Sequence, residues 1–230
     1  MALPILLLHG AISSSRQMLP LQTELQEQFS EVHAFDFPGH GGKDFPAELF
    51  SIPLFAASVL QWMDDKQFQK INIFGYSMGG CVALYMAKHF PERVGKIITL
   101  GTKLEWDHFI AADMTRMIDA EKIVLKAPVL ASALQELHQP NDWKEVLHRT
   151  TELFLNLGSE PALLPADLSQ IEQQVLLLLG DLDRMVTQEE TIEAQRLLPA
   201  SRFELLSETP HPIEQADPSR LALITSEFFQ

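Results

Sequence analysis

Short apolar runs recur along the chain, separated by longer stretches in which apolar residues return every three or four positions. The runs cover residues 5–8, 32–37, 71–74, 97–100, 175–179 and 203–206. They are continuously apolar rather than alternating, as expected of strands covered on both faces in a parallel sheet. Segments near 17–28, 55–66, 78–89, 189–198 and 218–229 carry the helical period. This alternation predicts a doubly wound, mostly parallel α/β sheet of about six strands, flanked by helices and joined by right-handed crossovers.

One interval breaks the rhythm. Residues 103–172 show no strand signal and are punctuated by prolines at 128, 140, 161 and 165. Met114, Met117 and Ile118 form one apolar cluster there; Val146, Leu147, Leu153, Phe154 and Leu157 form another. The segment reads as a helical cap inserted into a core made of residues 1–102 and 173–230.

Composition narrows the setting. Lys and Arg number 17 against 31 Asp and Glu in 230 residues, a net charge of −14. Such a chain repels nucleic acid and anionic lipid, so neither is expected as a partner. The one cysteine, Cys81, excludes an internal disulfide and points to a reducing, cytoplasmic compartment. The opening MALPILLLHG lacks a basic n-region and reads as a buried strand rather than a signal peptide. No apolar stretch approaches the ~18–20 residues of a membrane span.

Open parallel sheets place their ligand sites beyond the carboxyl ends of the strands. The sequences found there are HGAISSS, DFPGHGG, GYSMGG, GDLDRMV and SETPHPIEQADP. Within GYSMGG, Gly75 to Gly79 matches G-x-S-x-G. In that pattern a strand turns sharply into a helix and exposes a serine at the apex, and glycines flank it because side chains there would collide. Alone the pattern also describes a serine that merely caps a helix. A nucleophile needs a base. Of eight histidines, His211 alone follows the last strand, in a loop before the final helix. His9 and His40 lie in glycine-flanked loops, and with Asp36 they read as loop-stabilising residues. The base needs an orienting acid, and Asp183 follows the fifth strand. Asp181 is its rival, better suited to shaping the turn. Cys81 lies four residues past Ser77 on an apolar helix and reads as a packing residue.

The order Ser77, Asp183, His211 is that of α/β-hydrolases. With LLLHGAISSS, DFPGHGGKD, GYSMGG, LGDLDRMV and HPIEQADP, the chain resembles the α/β-hydrolase fold superfamily, in its small esterase-like branch. The resemblance covers nearly the whole length and begins at what would be the family's third strand. HGAIS stands where some lipases have HGGG, Lys43 replaces a common serine after PGHG, and His211 follows Thr-Pro rather than glycine. The resemblance implies a serine hydrolase in which Ser77 attacks a carbonyl, His211 takes its proton and Asp183 orients the imidazole. Backbone N–H groups of Met78 and Ala11, with Ile12 as the alternative to Ala11, would hold the oxyanion. Ile12, Trp106, Phe109, Met114 and Met117 are candidates for lining an acyl pocket, although such residues equally pack helices together. The expected substrate is a small-molecule carboxylic ester or thioester with an apolar acyl group, cleaved through an acyl-enzyme without metal or organic cofactor. The cap's twelve acidic and six basic residues argue against a strongly anionic substrate. C–C bond hydrolysis, perhydrolysis or lyase chemistry on the same triad, and a ligand-binding receptor, remain alternatives. Oligomeric state is left open.

Overall fold

Ile5, Leu6, Leu7 and Leu8 are all fully buried, yet they serve two different cores. Successive side chains of a strand point to opposite faces; Leu6 and Leu8 join one apolar cluster, Ile5 and Leu7 another. The computed structural model describes residues 3–230. Among them six strands form one sheet: β1 (Ile5–Leu8), β2 (Val32–Phe35), β3 (Ile71–Tyr76), β4 (Val94–Leu100), β5 (Val175–Gly180) and β6 (Ser201–Leu206). All pairs are parallel, in the order β2-β1-β3-β4-β5-β6. The direction of winding therefore reverses between β1 and β3, which opens a crevice at their carboxyl ends.

The helices are α1 (Leu19–Gln26), α2 (Ile52–Asp65), α3 (Met78–His89), α4 (His108–Met117), α5 (Ala120–Lys126), α6 (Pro128–His138), α7 (Trp143–Ser159), α8 (Pro165–Leu168), α9 (Gln188–Leu197) and α10 (Pro218–Phe229). α1 and α10 cover one face of the sheet; α2, α3 and α9 cover the other. The segment between β4 and β5 carries five helices, α4 to α8, and no strand, as its lack of a strand pattern suggests. Met114, Ile118, Val146, Leu153 and Phe154 join the same cluster as α2 and α3.

Boundaries move for local reasons. α2 begins at Ile52 rather than 55 because the Ser51 side chain accepts the Leu54 N–H and Pro53 sits in the first turn, where its missing N–H costs nothing. β2 stops at Phe35, because Asp36 turns to accept both the N–H (2.6 Å) and the hydroxyl (3.0 Å) of Ser15.

Glu190, in the first turn of α9, fixes the exit from β4. Its Oε1 accepts the N–H groups of Leu104 (2.7 Å) and Glu105 (2.8 Å), and its Oε2 lies 2.8 Å from Lys103 Nζ. The glutamate side chain is 3% exposed and the lysine 13%, so neither charge has water to fall back on. Replacing Glu190 by Gln keeps the volume but leaves the ammonium uncompensated. Removing one partner of a buried pair costs about 3 kcal/mol, and urea unfolding of Glu190→Gln should show a loss of this order.

Candidate active site

β3 runs into α3 through one residue, Ser77, at φ 51° and ψ −115°. A side chain at this positive φ is strained by about 1–3 kcal/mol, and the surroundings hold it there. The Ser77 N–H donates to Leu100 O (2.8 Å), while Ser77 O accepts from the Gly80 N–H (3.0 Å) and the Thr102 hydroxyl (3.0 Å). A β-carbon on Gly79 would stand 2.5 Å from Leu8 O, and one on Gly75 2.5 Å from Gly79 O. Both glycines are needed for α3 to press against β1. The Ser77 side chain makes no capping bond to α3, so the alternative of a simple helix cap lacks its hydrogen bond.

Asp183 and His211 meet across the loops that follow β5 and β6. Asp183 Oδ2 lies 2.7 Å from His211 Nδ1, and the two side chains are 1% and 10% exposed. Burial by itself would raise the Asp183 carboxyl. The His211 hydrogen bond and charge, with the Val186 and Met185 amides, outweigh it and hold the pKa below the ordinary aspartate value. The Met185 and Val186 N–H groups donate to Oδ1 at 2.7 and 2.9 Å, so both carboxylate oxygens are engaged. The pair lies against Gly101, where a β-carbon would be 3.1 Å from Asp183 Oδ2 and 3.2 Å from the His211 ring. Gly101 follows the residue whose carbonyl receives the Ser77 N–H. Ser77 and His211 themselves share no hydrogen bond in this structure. Asp181 is exposed and its Oδ1 accepts the Thr209 N–H at 3.1 Å, a turn contact. Tyr76, which carried no signal in the sequence pattern, donates its hydroxyl to His211 O at 3.0 Å and steadies the histidine loop.

The loop after β1 is a turn, Gly10 to Ser13, closed by a long bond from Ser13 N–H to Gly10 O (3.4 Å). His9 Nδ1 sits 2.7 Å from Gly10 O, and its Nε2 accepts the Phe37 N–H at 3.3 Å, so the ring proton is on Nδ1. His40 Nε2 lies 2.7 Å from Ala11 O. The N–H groups of Ala11 and Ile12, on the middle of this turn, donate to no group among the described residues. Met78, at the start of α3, has its N–H in the unpaired first turn of a helix.

A small cavity of about 30 Å³ adjoins Ser77, lined among others by Met78, Cys81, Lys103, Trp106, Met114, Phe154 and Leu157. Trp106 and Met114 thus reach it, with Ala11. Met117 does not: it is the last residue of α4 and stands half exposed. Phe109 is 87% exposed and also lies away from it. Ile12 is not in the wall either; it is half-buried against the larger core. The helical period showed which residues were apolar but not which turn of α4 faces inward. Phe154, Leu157 and Ile52 complete the wall, and in the sequence they were indistinguishable from packing residues. The Cys81 thiol is pushed up to about 12 by burial, which keeps it a neutral wall group. Trp106 Nε1 is buried without a hydrogen-bond partner.

The alpha/beta hydrolase fold family model matches residues 4–213. The chain belongs to the alpha/beta hydrolase fold family. A relative in Bacillus subtilis, a putative 2-succinyl-6-hydroxy-2,4-cyclohexadiene-1-carboxylate synthase, is 26% identical across 97% of this chain and 89% of its own. Among solved structures, a 2-hydroxy-6-oxo-6-phenylhexa-2,4-dienoate hydrolase from Rhodococcus sp. strain RHA1 superposes with a TM-score of 0.80 at 20% identity, covering 99% of this chain and 90% of that one. A thermophilic esterase from Thermogutta terrifontis gives 0.76 at 21%, covering 99% and 89%. In this alpha/beta hydrolase fold the six parallel strands of the sheet carry, at their carboxyl ends, every loop described above.

The buried histidines of this family member make its stability sensitive to acid. Burial drives the His40 pKa down from 6.5 to about 4, more than the Pro38 and Ala11 carbonyls raise it; burial lowers His9 as well. Below pH 6.5 the unfolded chain takes up a proton that folded His40 refuses, so stability present above that pH is lost as pH falls toward 4. The shift corresponds to about 3 kcal/mol. Unfolding free energies of wild type and His40→Gln, measured by urea titration from pH 7 to 4.5, should converge as the pH drops.

Proposed function

We propose that the chain is a serine hydrolase cleaving a carboxylic ester or thioester with an apolar acyl group through an acyl-enzyme. The observation that carries this reading is the 2.7 Å Asp183–His211 bond beside a serine at φ 51° on the strand-to-helix turn. Ser77 Oγ attacks the substrate carbonyl while His211 Nε2 takes its proton. Asp183 fixes the proton on Nδ1 and stabilises the imidazolium. The N–H groups of Met78 and Ala11 hold the oxyanion, with Ile12 as the alternative to Ala11; such a donor contributes about 3–4 kcal/mol to barrier lowering. His211 then returns its proton to the leaving group, and water enters by the reverse route to free the acid. None of these steps calls for a metal or organic cofactor. The helices between β4 and β5 act as the cap that shapes the acyl site. The acidic charge and single cysteine support a cytoplasmic setting.

A second reading keeps the same three residues for chemistry other than ester cleavage, C–C bond hydrolysis or a lyase step. The Bacillus relative, named as a synthase and matched along 97% of the chain, favours it. Against a polycarboxylate substrate stands the cavity wall, in which Lys103 is the one cationic residue and is already neutralised by Glu190. The ester reading is therefore preferred.

Ser77→Ala should lower p-nitrophenyl butyrate turnover at least about 10³-fold, and a fluorophosphonate should label wild type at Ser77 and spare the variant. Full turnover by Ser77→Ala would remove the serine from the mechanism. Faster cleavage of a vinylogous 1,5-diketone than of any ester would move the assignment to the second reading.

A further inference from the structure

His138 ends α6, far in sequence from any loop of the candidate site, yet it is fully buried against the turn that follows β1. Its Nδ1 accepts the Gly41 N–H at 3.2 Å, and its Nε2 lies 3.2 Å from Ile12 O. A backbone N–H on Nδ1 leaves the ring proton on Nε2, so Nε2–H donates to the Ile12 carbonyl. Three imidazoles thus contact three successive carbonyls: His9 Nδ1–H donates to Gly10 O, His138 Nε2–H to Ile12 O, and His40 faces Ala11 O with Nε2 at 2.7 Å and Pro38 O with Nδ1 at 3.0 Å, the shorter contact marking Nε2 as its donor.

This arrangement bears on where the turn's N–H groups point. In a trans peptide, C=O and N–H are antiparallel, so a carbonyl pulled toward a buried imidazole directs the next residue's N–H the other way. His9 orients the Ala11 N–H in this manner and His40 the Ile12 N–H. His138 fixes the third peptide, whose N–H belongs to Ser13 and closes the turn only at 3.4 Å. That long bond alone is a weak closure; the Ile12 carbonyl anchor is the second restraint on this end of the turn. The helical segment is tied down again just beyond, where Asn141 Nδ2 donates to Gly39 O (3.2 Å) and Lys43 O (2.6 Å).

We propose that His138 is a positioning residue: its hydrogen bond to Ile12 O restrains the Ser13 end of the oxyanion-holding turn, so that the Ala11 and Ile12 N–H groups keep the directions His9 and His40 give them. This rests on the hydrolase reading above. The side chain touches no reacting atom. Its effect passes through Ile12 O and Gly41 N, and it belongs to the transition state rather than to ground-state binding, because an oxyanion is tighter and more charged than a carbonyl.

The test compares His138→Phe, His138→Gln and Leu134→Ala in the full chain. Phe fills the space without either hydrogen bond. Gln offers a donor and an acceptor in its place. Leu134, buried on the same helix, reports what loosening α6 does by itself. With p-nitrophenyl butyrate, kcat of His138→Phe should fall about 10- to 100-fold with KM changed less than about twofold, His138→Gln should recover most of it, and Leu134→Ala should keep kcat at an equal or larger loss of Tm. Hydrogen exchange supplies a readout that needs no activity: in His138→Phe the peptide covering residues 9–14 should exchange faster while those of β3 and β4 do not. Should His138→Phe fail to fold, His138→Asn, too short to span Ile12 and Gly41 together, takes its place. Unchanged kcat, or a loss that Leu134→Ala reproduces at matched Tm, overturns the proposal. If wild type shows no Ser77-dependent turnover, the hydrolase reading fails by itself, and unchanged exchange in residues 9–14 then decides against the restraint.

Discussion

The approach of α3 to the carboxyl end of β1 is the contact on which the site depends. Gly79 sits so close to Leu8 O that no side chain fits between them. That closeness brings Ser77 and the first-turn N–H of Met78 beside the turn that starts at Gly10. Under the proposed reading, a wider separation would leave both loops intact and take their N–H groups apart from the one oxygen they would share. The positive φ of Ser77 follows from the same geometry, since the chain has one residue in which to reverse from strand to helix. The three hydrogen bonds to its backbone offset part of that strain.

A second constraint acts on the loops. The loops that continue the strands are partly buried here, so their shielded polar groups need partners inside the protein. The chain meets this with side chains from distant segments. Asp36 ties the first loop to the second, Tyr76 ties the third to the last, and Glu190 ties the fourth to α9. Each loop around Ser77 is thus set by an element other than the strands it joins. Shifting any of these loops would therefore break a bond to another element.

The fold was readable because its signals are short-range. Six apolar runs and their spacing gave the six strands of the sheet, and α3 and α10 run over the spans that the helical period marked, Met78–His89 and Pro218–Phe229. The loops that carry Ser77, Asp183 and His211 could be located because a doubly wound sheet dictates where to look. What the pattern could not carry was direction. Met114 and Met117 are equivalent as apolar residues of α4, and only the seating of that helix on the core separates a wall residue from an exposed one. His138 was beyond reach for another reason. Its two partners lie 97 and 126 residues earlier, and a buried histidine at a helix end has no local signature of what it will hold. The role of Tyr76 was hidden likewise, since its partner is a backbone carbonyl 135 residues away.

The smallness of the space beside Ser77 has a kinetic consequence. About 30 Å³ is open there to the centre of a water-sized sphere, room for a few waters and tight for a group as large as a phenyl ring. Under the hydrolase reading, the bulkiest groups would enter only as α4 and α7 draw back from α3. Selectivity then resides in how often that opening occurs and how wide it is, not in the contour of a preformed pocket. Substrates of increasing acyl length would be sorted by the free energy needed to part Met114, Phe154 and Leu157 from Met78, and the slow step for the largest would be a motion of the protein rather than a bond change.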